Sequence, residues 1–145
     1  MLQASMGWTN SHLHCFTVGE DRYGMKLDEY PDGEIDESTV TVVAALRDHR
    51  FFEYEYDFGD CWDHLVEIER AGRYPIGIKF GVCLDGANAC PPEDCGGTDG
   101  YANLLEALAD PAHDDHKMLA RWIGGRFDAT AFDLMLTNAA LQRIR

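Results

Sequence analysis

Between Phe51 and Glu69 the chain reads F-F-E-Y-E-Y-D-F-G-D-C-W-D-H-L-V-E-I-E, two runs in which large apolar and polar residues alternate around a short acidic centre. A period of two predicts a pair of antiparallel strands joined by a tight turn. Phe52, Tyr54 and Tyr56 then share one face of the first strand, with Glu53, Glu55 and Asp57 on the other. In the second strand Trp62, His64, Val66 and Ile68 line one face, opposite Asp63, Leu65, Glu67 and Glu69. The alternation implies a sheet with one buried side. Asp57-Phe58-Gly59-Asp60 carries the turn chemistry, because Gly59 accommodates a positive φ and either aspartate can accept nearby backbone amides.

The rest of the chain supplies further elements. Met1 to Trp8 reads as the last turns of a helix, with Leu2 and Met6 on one face and Gly7 as the stop. His12 to Val18 alternates as a strand that places His14 beside Phe16 on one face. Residues 19 to 38 read as an acidic loop with a short hairpin around Arg22-Tyr23-Gly24. Its acids, among them Asp28, Glu29 and Asp32 to Glu37, do not fit the spacing of an EF-hand, so solvation outweighs calcium binding or acidic docking as their role. Thr39 to Leu46 suits either a strand or a helix, and Gly72, Pro75, Gly77 and Gly81 break the segment after the hairpin. Cys83 to Gly100 is a long irregular stretch, of a kind that compact proteins keep for specific packing or for function.

Three helices close the chain. The first is expected from about Gly100 to Ala109 under an Asp99 cap, with Leu104, Leu105 and Leu108 inward. The second spans His113 to Ile123 with Met118, Leu119, Trp122 and Ile123 on one stripe. The third runs from an Asp128 cap through Arg143 on a face of Phe132, Met135, Leu136 and Ala139. The sum is an α+β fold, an antiparallel β-sheet with a central hairpin packed against C-terminal helices, in one domain over residues 1 to 145.

Charge narrows the partners. Lys and Arg number 12 against 26 Asp and Glu, a formal charge of −14. That field repels phosphate backbones and disfavours direct nucleic-acid binding. No run approaches the roughly 20 apolar residues of a membrane span, and the first residues show neither a basic n-region nor an apolar core of a secretory signal. A cytoplasmic location follows, and five unevenly spread cysteines suit reduced thiols there.

Candidate chemistry falls into two groups. Asp57, Asp60 and His64 gather near the hairpin turn, and His14 would join them from a neighbouring strand. Such carboxylates and imidazoles can bind a divalent metal or move protons. The alternative is structural: the aspartates hold the turn and His64 is a half-buried strand residue. Glu93 and Asp94 stand on a backbone stiffened by Pro91 and Pro92, and Gly96-Gly97 lets that loop fold over the hairpin, completing one polar pocket. The second group is Cys83, Cys90 and Cys95. Their spacing leaves a zinc site completed by His64 or Asp94, a local disulfide between Cys90 and Cys95, or buried free thiols. The glycines lack the lysine and hydroxyl of a phosphate loop. No G-x-S-x-G elbow occurs, and Cys61 and His64, three apart on a strand, face opposite ways.

Four stretches carry a resemblance: M-G-W-T-N-S-H-L-H-C-F at 6 to 16, Y-D-F-G-D-C-W-D-H at 56 to 64, C-P-P-E-D-C-G-G-T-D-G-Y at 90 to 101 and F-D-A-T-A-F-D-L-M-L-T-N at 127 to 138. Together they resemble the plasmid pRiA4b ORF-3-like family over nearly the whole chain. The resemblance implies an α+β domain with an antiparallel sheet and helices, found on plasmids, transposable elements and bacterial chromosomes and sometimes labelled a resolvase. This chain has neither a serine-recombinase nucleophile with its arginine cluster nor a charge suited to DNA. Family members usually begin with a further strand, a P-P-I-W-R-R-like segment and half a helix, so the chain is expected to be an N-terminally truncated member. The functional expectation is a non-catalytic accessory domain that binds a protein partner. The alternatives are a metal-dependent hydrolase or nuclease built on the Asp/His cluster, with a divalent metal such as zinc, and a thiol-based redox sensor using Cys90 and Cys95.

Overall fold

Tyr54 faces His64 and Tyr56 faces Trp62 across the central hairpin, the register that the alternation predicts. The structure, a computed structural model, describes residues 1–25, 33–70, 72 and 81–144. The expected breaks at Pro75 and Gly77, and the acids Asp28, Glu29 and Asp32, lie outside the described residues. The fold is α+β. It divides into two compact units, His12–Arg73 and Met1–Ser11 with Tyr74–Arg145, and each is taken by itself.

The first unit is built on a five-stranded sheet in the order β3-β2-β1-β4-β5. Its strands are β1 (His14–Val18), β2 (Asp21–Gly24), β3 (Ile35–Asp36), β4 (Phe51–Tyr56) and β5 (Trp62–Glu67). All pairings are antiparallel except β2 with β3, which is parallel, so the sheet is mixed. The turn expected at Arg22-Tyr23-Gly24 is instead strand. Val18 pairs with Asp21, which leaves Gly19-Glu20 as the two-residue loop, and Gly19 has the positive φ of 61° that such loops demand.

On one face the rings of β1, β4 and β5 form a ladder. Tyr54 and Tyr56 are fully buried and stack at 6.5 Å, and Phe16 lies 5.0 Å from Tyr54 and 6.0 Å from Phe52. Offset and edge-on contacts of this kind add to the gain from burying apolar area. On the other face Arg22 bridges Glu34 at 2.8 Å and Glu55 at 3.3 Å. Cys15 is buried on that side, and burial raises its thiol to about 11, with Arg22 opposing and Glu55 adding to the rise.

The ambiguous segment after β3 turns out helical. Asp36 caps a single 3-10 turn over Glu37–Thr39 by accepting the Ser38 amide at 2.9 Å. Thr41 then caps the one-turn helix α2 (Val42–Leu46), its hydroxyl accepting the Ala44 amide at 3.3 Å.

The second unit holds α1 (Leu2–Met6), α3 (Gly97–Ala109), α4 (His116–Trp122) and α5 (Leu134–Leu141). Gly7 ends α1 in the left-handed region at φ 110°, as its position predicts. α1 packs on α5 and α3 on α4. α3 starts three residues before the expected point, at Gly97 after Gly96, and Asp99 lies in its first turn without capping it. Gly100 sits where a side chain has no room unless the backbone shifts: a methyl there would land on the Cys95 carbonyl oxygen.

The last two helices expose part of the faces expected to be inward. On α4, Met118 and Trp122 are exposed while Leu119 and Ile123 are half-buried. α5 begins at Asp133, which accepts the Met135 and Leu136 amides at 2.9 and 3.0 Å, whereas Asp128 spends its carboxylate on the Thr130 amide and hydroxyl. Within α5 Met135 is 83% exposed and Leu141 is buried. Asn138 clamps Cys83 from both sides, accepting its amide at 2.9 Å and donating to its carbonyl at 3.0 Å. Among the described residues no helix is long and apolar enough to cross a membrane.

Candidate functional site

The hairpin tip is organised by Asp57. It is buried, sits at φ 59° and accepts the amides of Gly59 at 3.0 Å and Asp60 at 3.4 Å. Its carbonyl accepts the Cys61 amide at 2.6 Å, and its own amide donates to Leu13 at 2.9 Å. Gly59, expected to take the left-handed conformation, is not among the positive-φ residues; Asp57 and Cys61 are. Asp tolerates that region because its short carboxylate bonds locally.

The imidazole paired with Asp57 is that of His12, Nδ1 to Oδ2 at 3.5 Å, edge-on to the Tyr56 ring. His14 pairs elsewhere. Its Nε2 lies 3.2 Å from Glu37 Oε2, and its ring sits against Phe16 and Tyr54. His64, half-buried, places Nδ1 3.0 Å from the Tyr54 carbonyl oxygen. His12 and Glu37 are thus the partners that sequence reasoning missed. The alternation at 12 to 18 puts His12 on the face of His14, a signal for the first; nothing local marks Glu37, which only the folding-back of the 3-10 turn brings to the sheet.

Glu93 and Asp94 belong to the helical unit. Glu93 accepts the Thr9 amide at 2.8 Å and the Thr9 hydroxyl at 3.0 Å, and the Trp8 indole donates to the Pro91 carbonyl at 2.9 Å. The proline loop is therefore stapled to the segment after α1. Asp94 is exposed at φ 57°.

Cys83, Cys90 and Cys95 are thiols, not disulfides. Cys83 points its sulfur at the Asp85 carbonyl at 3.2 Å and Cys95 at that of Gly97 at 4.0 Å. Among the described residues Cys83, Cys90 and Cys95 are not part of any group of three converging ligand atoms. Burial pushes the Cys90 thiol up to about 12, with Glu93 and Cys95 adding to the rise.

The sheet unit also holds a cavity of about 240 Å³. Its floor is Phe16, Val18, Tyr23 and Phe52, and its wall is the 3-10 turn and α2, through Val40, Thr41, Val42, Ala45 and Leu46. Glu37, whose Oε2 lies beside His14, lines it too, with Ser38.

The profile of the plasmid pRiA4b ORF-3-like protein family matches residues 1–136. The chain belongs to that family. This pRiA4b ORF-3-like chain is 41% identical over 145 residues to uncharacterized protein y4hQ of Sinorhizobium fredii, covering 97% of its own length and 74% of that protein. It is also similar to the crystal structure of a protein of unknown function from Methanosarcina mazei Go1. The TM-score is 0.81 at 30% identity, over 92% of this chain and 77% of that one.

Proposed function

We propose that this pRiA4b ORF-3-like chain is a non-catalytic domain that binds a protein partner, and that the cavity over the Phe16–Phe52 face takes an apolar side chain of that partner. The cavity carries the reading. At about 240 Å³ it falls below the roughly 300 Å³ at which pockets for drug-sized ligands begin. Two of the groups that would perform acid-base work have structural duties: Asp57 holds two turn amides and His64 sits on the Tyr54 carbonyl. The test is affinity capture from the native host with the full chain and two variants. Ala45→Trp fills the cavity, while Ala44→Trp alters an exposed neighbour outside the lining. A partner retained by the wild type and Ala44→Trp but lost by Ala45→Trp supports the reading; a partner captured equally by all three removes it.

The His12–Asp57 pair favours one other reading, metal-dependent hydrolysis at the hairpin tip, because a carboxylate behind an imidazole is how metal-ligating histidines are oriented. Purified protein without bound zinc, manganese or magnesium, and with a melting temperature indifferent to each added ion, would end it.

A further inference from the structure

We propose that the cavity selects a particular kind of segment: a large apolar side chain with a lysine or arginine beside it, the cation closing on Glu37. The inference rests on the binding reading above and adds the chemistry of the partner. Among the described lining residues Glu37 is the only charged one. Its side chain is 30% exposed, and its Oε2, which has no hydrogen-bond partner among the described residues, lies 3.2 Å from His14 Nε2. A carboxylate retains acceptor capacity after one such contact, and a cation arriving with an apolar side chain uses it.

Two independent features point the same way. The apolar surface does not end at the cavity mouth: Val42 on its wall is 67% exposed and its neighbour Val43 81% exposed, a rim on which the stems of flanking Lys or Arg side chains can lie. The chain as a whole carries −14, which attracts a basic segment and repels an acidic one before contact is made. An apolar segment flanked by acids would meet repulsion both at long range and at Glu37.

The probe is a labelled octapeptide with a central Leu-Phe pair, flanked by lysines in one version and by glutamates in another, titrated into the full chain by fluorescence anisotropy at low salt. The lysine version is expected to bind at least about fivefold more tightly, with the preference shrinking as salt is added. Glu37→Gln should lose about fivefold for the lysine peptide, and Glu37→Lys should invert the preference. That inversion cannot come from a variant that merely fails to fold, and far-UV circular dichroism checks each protein. Equal binding of both peptides, or a preference unchanged by Glu37→Lys, overturns the charge rule. If that binding is still abolished by Ala45→Trp, the cavity reading survives the loss. No binding of either peptide at millimolar concentration overturns the segment class, even where Ala45→Trp blocks capture of a partner. Binding of n-hexylamine as tight as that of the lysine peptide overturns it in favour of a small cationic ligand.

Discussion

Replacing Asp57 separates its work as a turn former from any work as a charge. In Asp57→Ala the Gly59 amide loses an acceptor at 3.0 Å and the Asp60 amide one at 3.4 Å. Gly59 is exposed, so water recovers part of the loss, and the pair of bonds is worth about 1 kcal/mol, as for a helix cap. Alanine at φ 59° adds about 1 kcal/mol of left-handed strain that Asp and Asn largely escape. Loss of the His12 contact at 3.5 Å adds under about 1 kcal/mol. The total is about 2 to 3 kcal/mol, which for a chain of this size lowers the melting temperature by about 5 to 10 °C. Asp57→Asn keeps both the Oδ1 acceptor and the tolerance of the backbone, so it should lose less than about 3 °C. Thermal melts followed at the β-sheet signal in circular dichroism read both variants. An Asn variant as damaged as the Ala variant would refute the argument, since it would mean that the carboxylate's charge outweighs the turn it holds.

The remaining predictions concern the helical unit. Gly100→Ala, which drives a methyl into the Cys95 carbonyl at the first turn of α3, should destabilise by about 3 kcal/mol and lower both soluble yield and melting temperature; a wild-type melt would show that this turn can shift. Cys90, with its thiol raised by burial from the ordinary 9.0 to about 12, should resist iodoacetamide at pH 8 while exposed Cys61 is alkylated; rapid labelling of Cys90 would revive it as a redox sensor. Because the folded chain holds that proton more tightly than the unfolded one, Cys90 contributes stability below pH 9 that is lost as the pH climbs towards 12. Urea midpoints between pH 8 and 11 should therefore fall less steeply in Cys90→Ala than in the wild type.

The hairpin was legible because its signal is redundant. Aromatic and β-branched residues at Phe52, Tyr54 and Tyr56 and again at Trp62, His64 and Val66 leave one register that brings them together, and the observed pairing of Phe52 with Val66, Tyr54 with His64 and Tyr56 with Trp62 is that register. The last helix was not, because its signal is ambiguous. Asp128 and Asp133 have the same capping chemistry, and both use it, one on Thr130 and the other on Met135 and Leu136. Choosing the earlier cap displaces the start by five residues and counts Phe132, which precedes the helix, in its apolar stripe. The anchor at Asn138 is polar and invisible to an apolar stripe, since its value lies in satisfying the Cys83 backbone.

The site misleads for a related reason. Two histidines at positions of one parity compete for the carboxylates near them, and alternation says only that they share a face. The strand itself decides between them: Asp57 donates its amide to Leu13, so the tip of the hairpin is level with the start of β1, where His12 lies, while His14 pairs in register with Tyr56. His14 is then left to a carboxylate from the 3-10 turn, that of Glu37, which also lines the apolar hollow beside Phe16. A lone acid in an acidic loop carries no sequence signal of function; only the fold sets it beside an imidazole and an apolar cavity. Losing that neighbour, in a His14→Leu variant, should weaken the lysine peptide's binding while leaving the cavity intact. An affinity equal to the wild type's would show that Glu37 finds its own orientation and that His14 serves packing alone.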